Sequence, residues 1–179
     1  MALTAYDYTT ARLVDESGVD LILVGDSLGM TMLGYDTTIP VTLDASLHHT
    51  AAVVRGVKRA MVIGDMPFLT THVGMADVLR NAARYMQEAG ADGVKVEGGR
   101  SMAPRIRRLV DAGIPVLGHI GILPQKVLAA GGYRVHGRTP EQADELVQDS
   151  VALAEAGVFG IVLEGMPVSL SRRITEGIE

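Results

Sequence analysis

Short runs of apolar residues recur along the chain, and each run follows a glycine and stops at a polar residue. The pattern occurs five times, over residues 16–26, 55–65, 88–97, 111–119 and 155–164. The glycines fit the position just past a helix, where a positive φ is favoured. Continuous apolar runs are typical of strands that are buried on both faces. The pattern therefore predicts parallel strands, each preceded by a helix.

Between these runs, the apolar residues are spaced as in helices, as over residues 78–89 and 143–154. Residues 139–142, Thr-Pro-Glu-Gln, form a capping box with proline at the first helical position. A first strand over residues 2–6 and a last helix over about residues 167–176 complete the pattern. The sequence thus predicts six strand–helix units.

Strands and helices that alternate with short links form either an open doubly wound sheet or a closed barrel. A dinucleotide-binding sheet would carry G-x-G-x-x-G after its first strand, whereas residues 4–8 contain no glycine. We therefore predict an α/β fold of the TIM (β/α)8 barrel type, in one domain over residues 1–179. A complete barrel has eight units and ~250 residues. We accordingly expect this domain to be incomplete at both ends, with the last two βα units absent.

Polar residues stand at the carboxyl ends of the predicted strands. They are Asp26, Asp65, Lys95, Glu97, His119 and Glu164. Alternate residues of a strand point the same way, so Lys95 and Glu97 share one face. The carboxyl ends of barrel strands meet at one mouth, where catalytic residues of this fold lie. We expect these six side chains to converge there.

Four carboxylates in one mouth repel one another unless a cation offsets their charge. Oxygen ligands suit Mg²⁺, which keeps several waters and needs few carboxylates, and we predict Asp26, Asp65 and Glu97 as its ligands. A lysine beside a metal is well placed to hold a substrate carboxylate.

Simpler interpretations of these polar residues stay open. Any one of these acids can begin a solvated loop, Lys95 can be an ion-pair partner of Glu97, and a lone histidine such as His119 is more often a hydrogen-bonded core residue.

The charge and composition of the chain argue against several classes of partner and of chemistry. The net charge is −5, and neither terminus carries a basic tail, which argues against a nucleic-acid partner. The longest apolar runs are far shorter than a membrane span, so we expect a cytoplasmic protein without a membrane partner. The chain has no cysteine, which excludes disulfides, thiolate nucleophiles and sulfur ligands. Any metal must be held by oxygen or imidazole.

In order and spacing, the sequence motifs resemble those of the ketopantoate (3-methyl-2-oxobutanoate) hydroxymethyltransferase family. The resemblance covers nearly the whole chain. The motifs are LTAYDY (residues 3–8), VGDSLGM (24–30), GDMPF (64–68), VKVEGG (94–99), GHIG (118–121), PQ (124–125), GGY (131–133), GR (137–138) and LE (163–164) followed by Pro167.

The resemblance implies a TIM barrel in which Asp26, Asp65 and Glu97 serve a Mg²⁺ site. Substrate-binding residues would be Asp26, Ser27, Asp65, Lys95 and His119, and Glu164 would be the catalytic proton acceptor. The implied reaction transfers a hydroxymethyl group from the co-substrate 5,10-methylenetetrahydrofolate to 3-methyl-2-oxobutanoate and gives 2-dehydropantoate. The implied partners are therefore a small 2-oxo acid and a folate, in a homo-oligomer.

Three residues of the predicted lid, residues 121–138, depart from the family pattern. Leu123 and Lys126 stand where the family has Thr and Ser, and His136 stands where it has Gln. Two alternatives remain open. One is a Mg²⁺-dependent 2-oxo-acid enzyme of the phosphoenolpyruvate mutase and isocitrate lyase type, which would need a cysteine-bearing lid that this chain lacks. The other is a catalytically silent assembly protein, since open strand edges favour pairing with another chain.

Overall fold

The computed structural model describes residues 1–178. They divide into two compact units, the first over Met1–Lys95 and the second from Val96 onward. In both units strands alternate with helices, and the pairings of β1 with β2, β2 with β3, β3 with β4 and β5 with β6 are parallel. The predicted βα alternation is therefore confirmed. Among the described residues, none of the helices has both the length and the apolar character that a membrane crossing requires.

The first unit contains four strands in sequence order. Its elements are β1 (Ala2–Thr4), α1 (Tyr8–Glu16), β2 (Leu21–Val24), α2 (Leu28–Thr31), α3 (Leu43–Gly56), β3 (Met61–Asp65), α4 (Met75–Arg84), a π-helical turn (Tyr85–Ala89) and β4 (Gly93–Glu97), whose last two residues belong to the second unit. The register pairs Ile22 with Val62 and Asp65 with Lys95. Both faces of β3 are covered, because the adjacent residues Val62 and Ile63 point to opposite faces and both are buried.

Most of the glycines that precede the apolar runs have the predicted role. Gly18, Gly90, Gly113 and Gly157 have φ values of 88°, 74°, 85° and 91°. The prediction is wrong for Gly56, which is the last residue of α3 itself. A Cβ at Gly56 would lie 2.5 Å from the carbonyl oxygen of Tyr8 in α1. Close packing of α3 on α1, and not a positive φ, requires glycine at this position.

Gly56→Ala is expected to lower the free energy of unfolding by about 1–3 kcal/mol, the usual cost of overpacking. In a helix, alanine is otherwise favoured over glycine by roughly 0.5–1 kcal/mol, so the clash is expected to outweigh the gain. Gly177→Ala is the matched control, because nothing lies within 4 Å of a Cβ there. Urea denaturation of both variants measures the difference, and equal stabilities would contradict the packing role.

Asp15 joins α1 to the loop between α3 and β3. Its carboxylate accepts hydrogen bonds from the backbone N–H groups of Ala60 at 2.8 Å, Lys58 at 2.9 Å and Arg59 at 3.3 Å. These hydrogen bonds, that of Ala60 foremost, lower the pKa of Asp15 below its ordinary value of 3.8. The ionised carboxylate therefore stabilises the folded first unit.

The lowered pKa of Asp15 predicts the sign of a pH effect on stability. A group with a depressed folded pKa contributes stability above its unfolded value of 3.8, and this contribution is lost as the pH falls through the folded pKa. Below 3.8, the unfolding free energy of the wild type should therefore fall more steeply with pH than that of Asp15→Asn. Denaturant titrations over an acidic pH series measure both slopes, and identical slopes would remove Asp15 from the acid response.

The second unit contains two paired strands. Its elements are α5 (Ala103–Asp111), β5 (Val116–Gly121), a 3₁₀ turn (Pro124–Lys126), α6 (Val127–Ala130), α7 (Pro140–Glu155), β6 (Gly160–Glu164) and α8 (Val168–Gly177). The register of β5 and β6 pairs His119 with Val162 and Gly121 with Glu164. The predicted lid thus holds two short helical segments.

The predicted capping box at the start of α7 is half confirmed. The Thr139 hydroxyl accepts a hydrogen bond from the backbone N–H of Gln142 at 3.3 Å, as predicted. The Gln142 side chain, however, accepts from the backbone N–H of Arg138 at 3.2 Å. In a standard capping box, this side chain accepts from the backbone N–H of the N-cap residue, which here is Thr139. In this helix the donor is the residue before the N-cap, so the second hydrogen bond of the box is shifted by one residue.

Candidate active site

In the first unit, the predicted site residues gather around the Asp65 carboxylate at the end of β3. Asp65 Oδ2 accepts from Lys95 Nζ at 2.6 Å and from the backbone N–H of Asp26 at 3.0 Å. The side chains of Asp65 and Lys95 are only 1% and 5% exposed. The strand register pairs these two residues directly, which explains how the ion pair forms. Asp26, Asp65 and Lys95 are thus brought together.

Ser27 lies next to this cluster, in the turn that follows β2. Its hydroxyl is 2.8 Å from the Tyr6 hydroxyl. A Cβ at Gly25 would lie 2.9 Å from Ser27 Oγ and 3.8 Å from Asp65 Oδ2. Glycine at residue 25 therefore leaves room for the Ser27 hydroxyl, whereas a Cβ there would make only an ordinary contact with Asp65.

In the second unit, His119 lies between two carboxylates. Its Nδ1 is 3.4 Å from Glu97 Oε1, and its Nε2 is 3.2 Å from Glu164 Oε2. His119 and Glu97 are buried, whereas the Glu164 side chain is 47% exposed. Glu97 Oε2 also accepts from the backbone N–H of Gln125 at 3.2 Å. One carboxylate oxygen of Glu164 therefore lies next to His119, while about half of the side chain is exposed.

The backbone beside Glu164 is fixed by a close approach of β5 and β6. Gly121 has a φ of 100°, and a Cβ there would lie 2.0 Å from the Glu164 carbonyl oxygen. That oxygen accepts from the backbone N–H of Ile122 at 2.9 Å. Glycine at 121 is thus required for the position of Glu164 relative to His119.

The donor set in the first unit fits a hard divalent cation. Asp26 and Asp65 both carry buried carboxyl groups, and that of Asp65 is paired with the Lys95 ammonium group. Mg²⁺ is commonly bound by one or two carboxylates together with waters and substrate oxygens. Within residues 1–178, no group of three His, Asp or Glu side chains is arranged to hold a metal by itself. The ligand set of Asp26, Asp65 and Glu97 stays a prediction.

Two of the three residues that depart from the family pattern line a cavity of about 170 Å³ in the second unit. Leu123 and His136 contribute to its wall together with Glu145 and Asp149. Lys126 is exposed. The departures therefore change the lining of a cavity, while the contacts of His119 with Glu97 and Glu164 remain in place.

Four residues in contact with the site had no role in the sequence-based predictions: Tyr6, Ser46, Tyr85 and Gln125. Tyr6 contacts Ser27, and Gln125 contacts Glu97 through its backbone. Ser46 and Tyr85 contact the backbone of Asp65. Tyr6 and Gln125 lie within the motifs at residues 3–8 and 124–125, and Ser46 is a polar residue among the apolar residues of a helix; these were the available signs in the sequence.

Solved structures with a similar fold include two enzymes. A 2,3-dimethylmalate lyase, a member of the PEP mutase/isocitrate lyase superfamily, matches with a TM-score of 0.71 and 19% identity, over 99% of this chain and 61% of its own. A phosphonopyruvate hydrolase matches with a TM-score of 0.68 and 18% identity, over 92% of this chain and 57% of its own. At these identities the likeness shows the fold alone. The predicted α/β fold of the TIM-barrel type, present in part, is confirmed.

Comparison of sequences gives a closer relationship. A protein of Koribacter versatilis (strain Ellin345) named 3-methyl-2-oxobutanoate hydroxymethyltransferase is 55% identical over 177 residues, which are 99% of this chain and 60% of that protein. A protein of the same name from Heliobacterium modesticaldum is 54% identical over 98% of this chain and 64% of its own length. The chain thus spans less than two thirds of these curated relatives. The family profile described as ketopantoate hydroxymethyltransferase matches residues 1–179. This chain belongs to the ketopantoate hydroxymethyltransferase family.

Proposed function

We propose that this chain carries residues for a Mg²⁺-dependent transfer of a hydroxymethyl group from 5,10-methylenetetrahydrofolate to 3-methyl-2-oxobutanoate. The product would be 2-dehydropantoate. The observation that carries the proposal is the family match over residues 1–179. The cluster of Asp26, Asp65 and Lys95 supports it, because the cluster offers two carboxylates for a cation and an ammonium group for a keto acid.

The first unit would bind the 2-oxo acid. Lys95 is positively charged beside Asp65, so it can attract the substrate carboxylate, and the Ser27 hydroxyl can donate a hydrogen bond to a substrate oxygen. Asp26 and Asp65 would hold Mg²⁺, with Glu97 as the third proposed ligand. When bound, Mg²⁺ polarises the keto carbonyl and makes the adjacent C–H more acidic.

Glu164 would act as the general base. Its half-exposed carboxylate can accept the proton from C3 of the keto acid, which leaves an enolate. His119 Nε2 lies 3.2 Å from one carboxylate oxygen of Glu164, where it can help to orient the carboxylate. The enolate carbon would then bond to the methylene carbon of the folate, whose C–N bonds break. One water supplies the hydroxyl oxygen, and tetrahydrofolate is released. We further propose a homo-oligomer.

Isotope exchange by the 179-residue chain tests the proposed reaction. With Mg²⁺ and without folate, C3 of 3-methyl-2-oxobutanoate should exchange its proton for deuterium, and added 5,10-methylenetetrahydrofolate should give 2-dehydropantoate. Removal of Mg²⁺ with a chelator should stop both reactions. A catalytically silent assembly protein would show neither. Cleavage of the keto acid without folate would instead favour a lyase.

Replacement of either carboxylate should weaken metal binding. Asp26→Asn and Asp65→Asn are each expected to lower the affinity for Mn²⁺, used as a probe for Mg²⁺, by about 10-fold or more, since even outer-shell losses have effects of this size. Asp36→Asn is the matched control, an exposed aspartate in the same unit. Titration calorimetry measures the affinities, and wild-type binding in both site variants would remove these ligands from the proposal.

A further inference from the structure

The backbone carbonyl of Asp65 is enclosed by two buried hydroxyl groups. The Tyr85 hydroxyl lies 2.6 Å from this carbonyl oxygen, and the Ser46 hydroxyl lies 3.1 Å from it. The two hydroxyls are 2.7 Å apart. Tyr85 and Ser46 have no solvent exposure, and Asp65 is 1% exposed. All three groups belong to the first unit, and water has no access to replace these contacts.

A π-helical turn directs the Tyr85 ring toward β3. Tyr85 begins this turn at the end of α4, and its carbonyl accepts the N–H groups of Gly90 and Ala91 beyond the turn. The ring packs directly on Gly64, where a Cβ would lie 2.2 Å from the ring carbon Cδ1. Isolated π turns are rare in helices and are frequent at functional sites. The unusual turn and the glycine together place the hydroxyl at the residue after Gly64.

We propose that Tyr85 and Ser46 are positioning residues for Asp65. They hold its backbone carbonyl, and thereby direct its carboxylate toward the Asp26 N–H and Lys95. This inference rests on the proposed function, in which Asp65 serves the metal and the keto acid. Neither hydroxyl contacts a proposed substrate or metal ligand atom, so both act through Asp65.

Burial of the Tyr85 phenol supports this role. Tyr85 has no solvent exposure, so solvent does not compete with the Asp65 carbonyl as the acceptor of its hydroxyl. The alternative is a purely structural role, in which the two hydroxyls only satisfy each other's hydrogen bonds in the core and have no effect on the carboxylate.

The Asp26 amide distinguishes the two roles, because it donates to Asp65 Oδ2 and so reports the direction of the carboxylate without any metal. In Tyr85→Phe, the hydrogen-exchange protection of this amide should fall about 10-fold, and the affinity for Mn²⁺ should fall by a similar factor, as after loss of outer-shell partners. Ser46→Ala should change both in the same direction by less, because Tyr85 still holds the carbonyl.

Val53→Ala is the matched control for loss of stability alone. Val53 is fully buried on α3, the helix that carries Ser46, and it has no polar group. It should lower the melting temperature without a selective change at the Asp26 amide. The inference is overturned if Tyr85→Phe leaves the Asp26 protection at the wild-type level, or if Val53→Ala lowers it equally. If the wild type does not bind Mn²⁺, the proposed metal site fails, and the Asp26 amide still decides the role of Tyr85.

Discussion

Lys95→Met should lower the free energy of unfolding by about 3–5 kcal/mol, the usual cost when one partner of a buried ion pair is removed. The reason is that Asp65 would stay behind as a carboxylate that is 1% exposed, with its ammonium partner gone. The hydrogen bond from the Asp26 N–H would remain, but a neutral donor offsets little of the cost of a buried charge. Urea denaturation at neutral pH measures the loss.

A second substitution separates the charge effect from the packing effect. Lys95→Met combined with Asp65→Asn removes both charges, while the Asn side-chain oxygen can still accept from the Asp26 N–H. Replacement of a whole buried pair is often neutral for stability. The double variant should therefore regain most of the lost stability but should not bind Mn²⁺ or the keto acid. If Lys95→Met unfolds at the wild-type denaturant concentration, the ion pair contributes nothing to the fold.

The βα alternation was predictable because its signals are local. A glycine that follows a helix and an apolar run that forms a buried strand are both local signals, because each depends on only a few neighbouring residues. The structure confirms six parallel strands, although β1 is Ala2–Thr4 where residues 2–6 were predicted. Gly56 was misinterpreted because its requirement comes from the approach of a second helix, which the local sequence does not contain.

The positions of the site residues were predictable for the same reason. Asp65, Glu97 and Glu164 are the last residues of β3, β4 and β6, as the stop of each apolar run predicted. His119 lies inside β5, and Asp26 lies two residues beyond β2. The polar residue that ends a buried run therefore marks the end of a strand to within two or three positions, whatever its chemical role.

The residues that support the site could not be predicted in this way. Ser46 lies within α3, and Tyr85 begins a π turn whose register departs from the period of an ordinary helix. Ser46 and Tyr85 contact Asp65, although each lies at least 19 residues from it in the sequence. Such contacts depend on how helices pack on the sheet, and the helical spacing of apolar residues indicates only which face is buried.

Glu164→Gln should lower the rate of deuterium exchange at C3 of 3-methyl-2-oxobutanoate by about 10²–10⁴-fold, the usual contribution of a general base. Glutamine keeps the size of the side chain and can still contact His119, but it cannot accept the proton. Because the Glu164 side chain is 47% exposed, the variant should fold with nearly the stability of the wild type. Binding of the keto acid and Mn²⁺ should also be unchanged, since the contacts of Asp65 with Asp26 and Lys95 do not involve Glu164.

The exchange experiment is done with Mg²⁺ and without folate, so that only removal of the C3 proton is measured. Glu176→Gln is the matched control, because Glu176 is an exposed glutamate on α8 in the same unit, and it should exchange at the wild-type rate. A normal rate in Glu164→Gln would assign the base role to another group. Slow deuterium exchange in both variants would show that the net charge of the second unit, and not a specific general base, controls removal of the C3 proton. If Glu164 is the general base, deuterium exchange should be slow in Glu164→Gln alone, and binding of the keto acid should be intact. The reason is that a general base acts in removal of the proton and not in the substrate binding that precedes it.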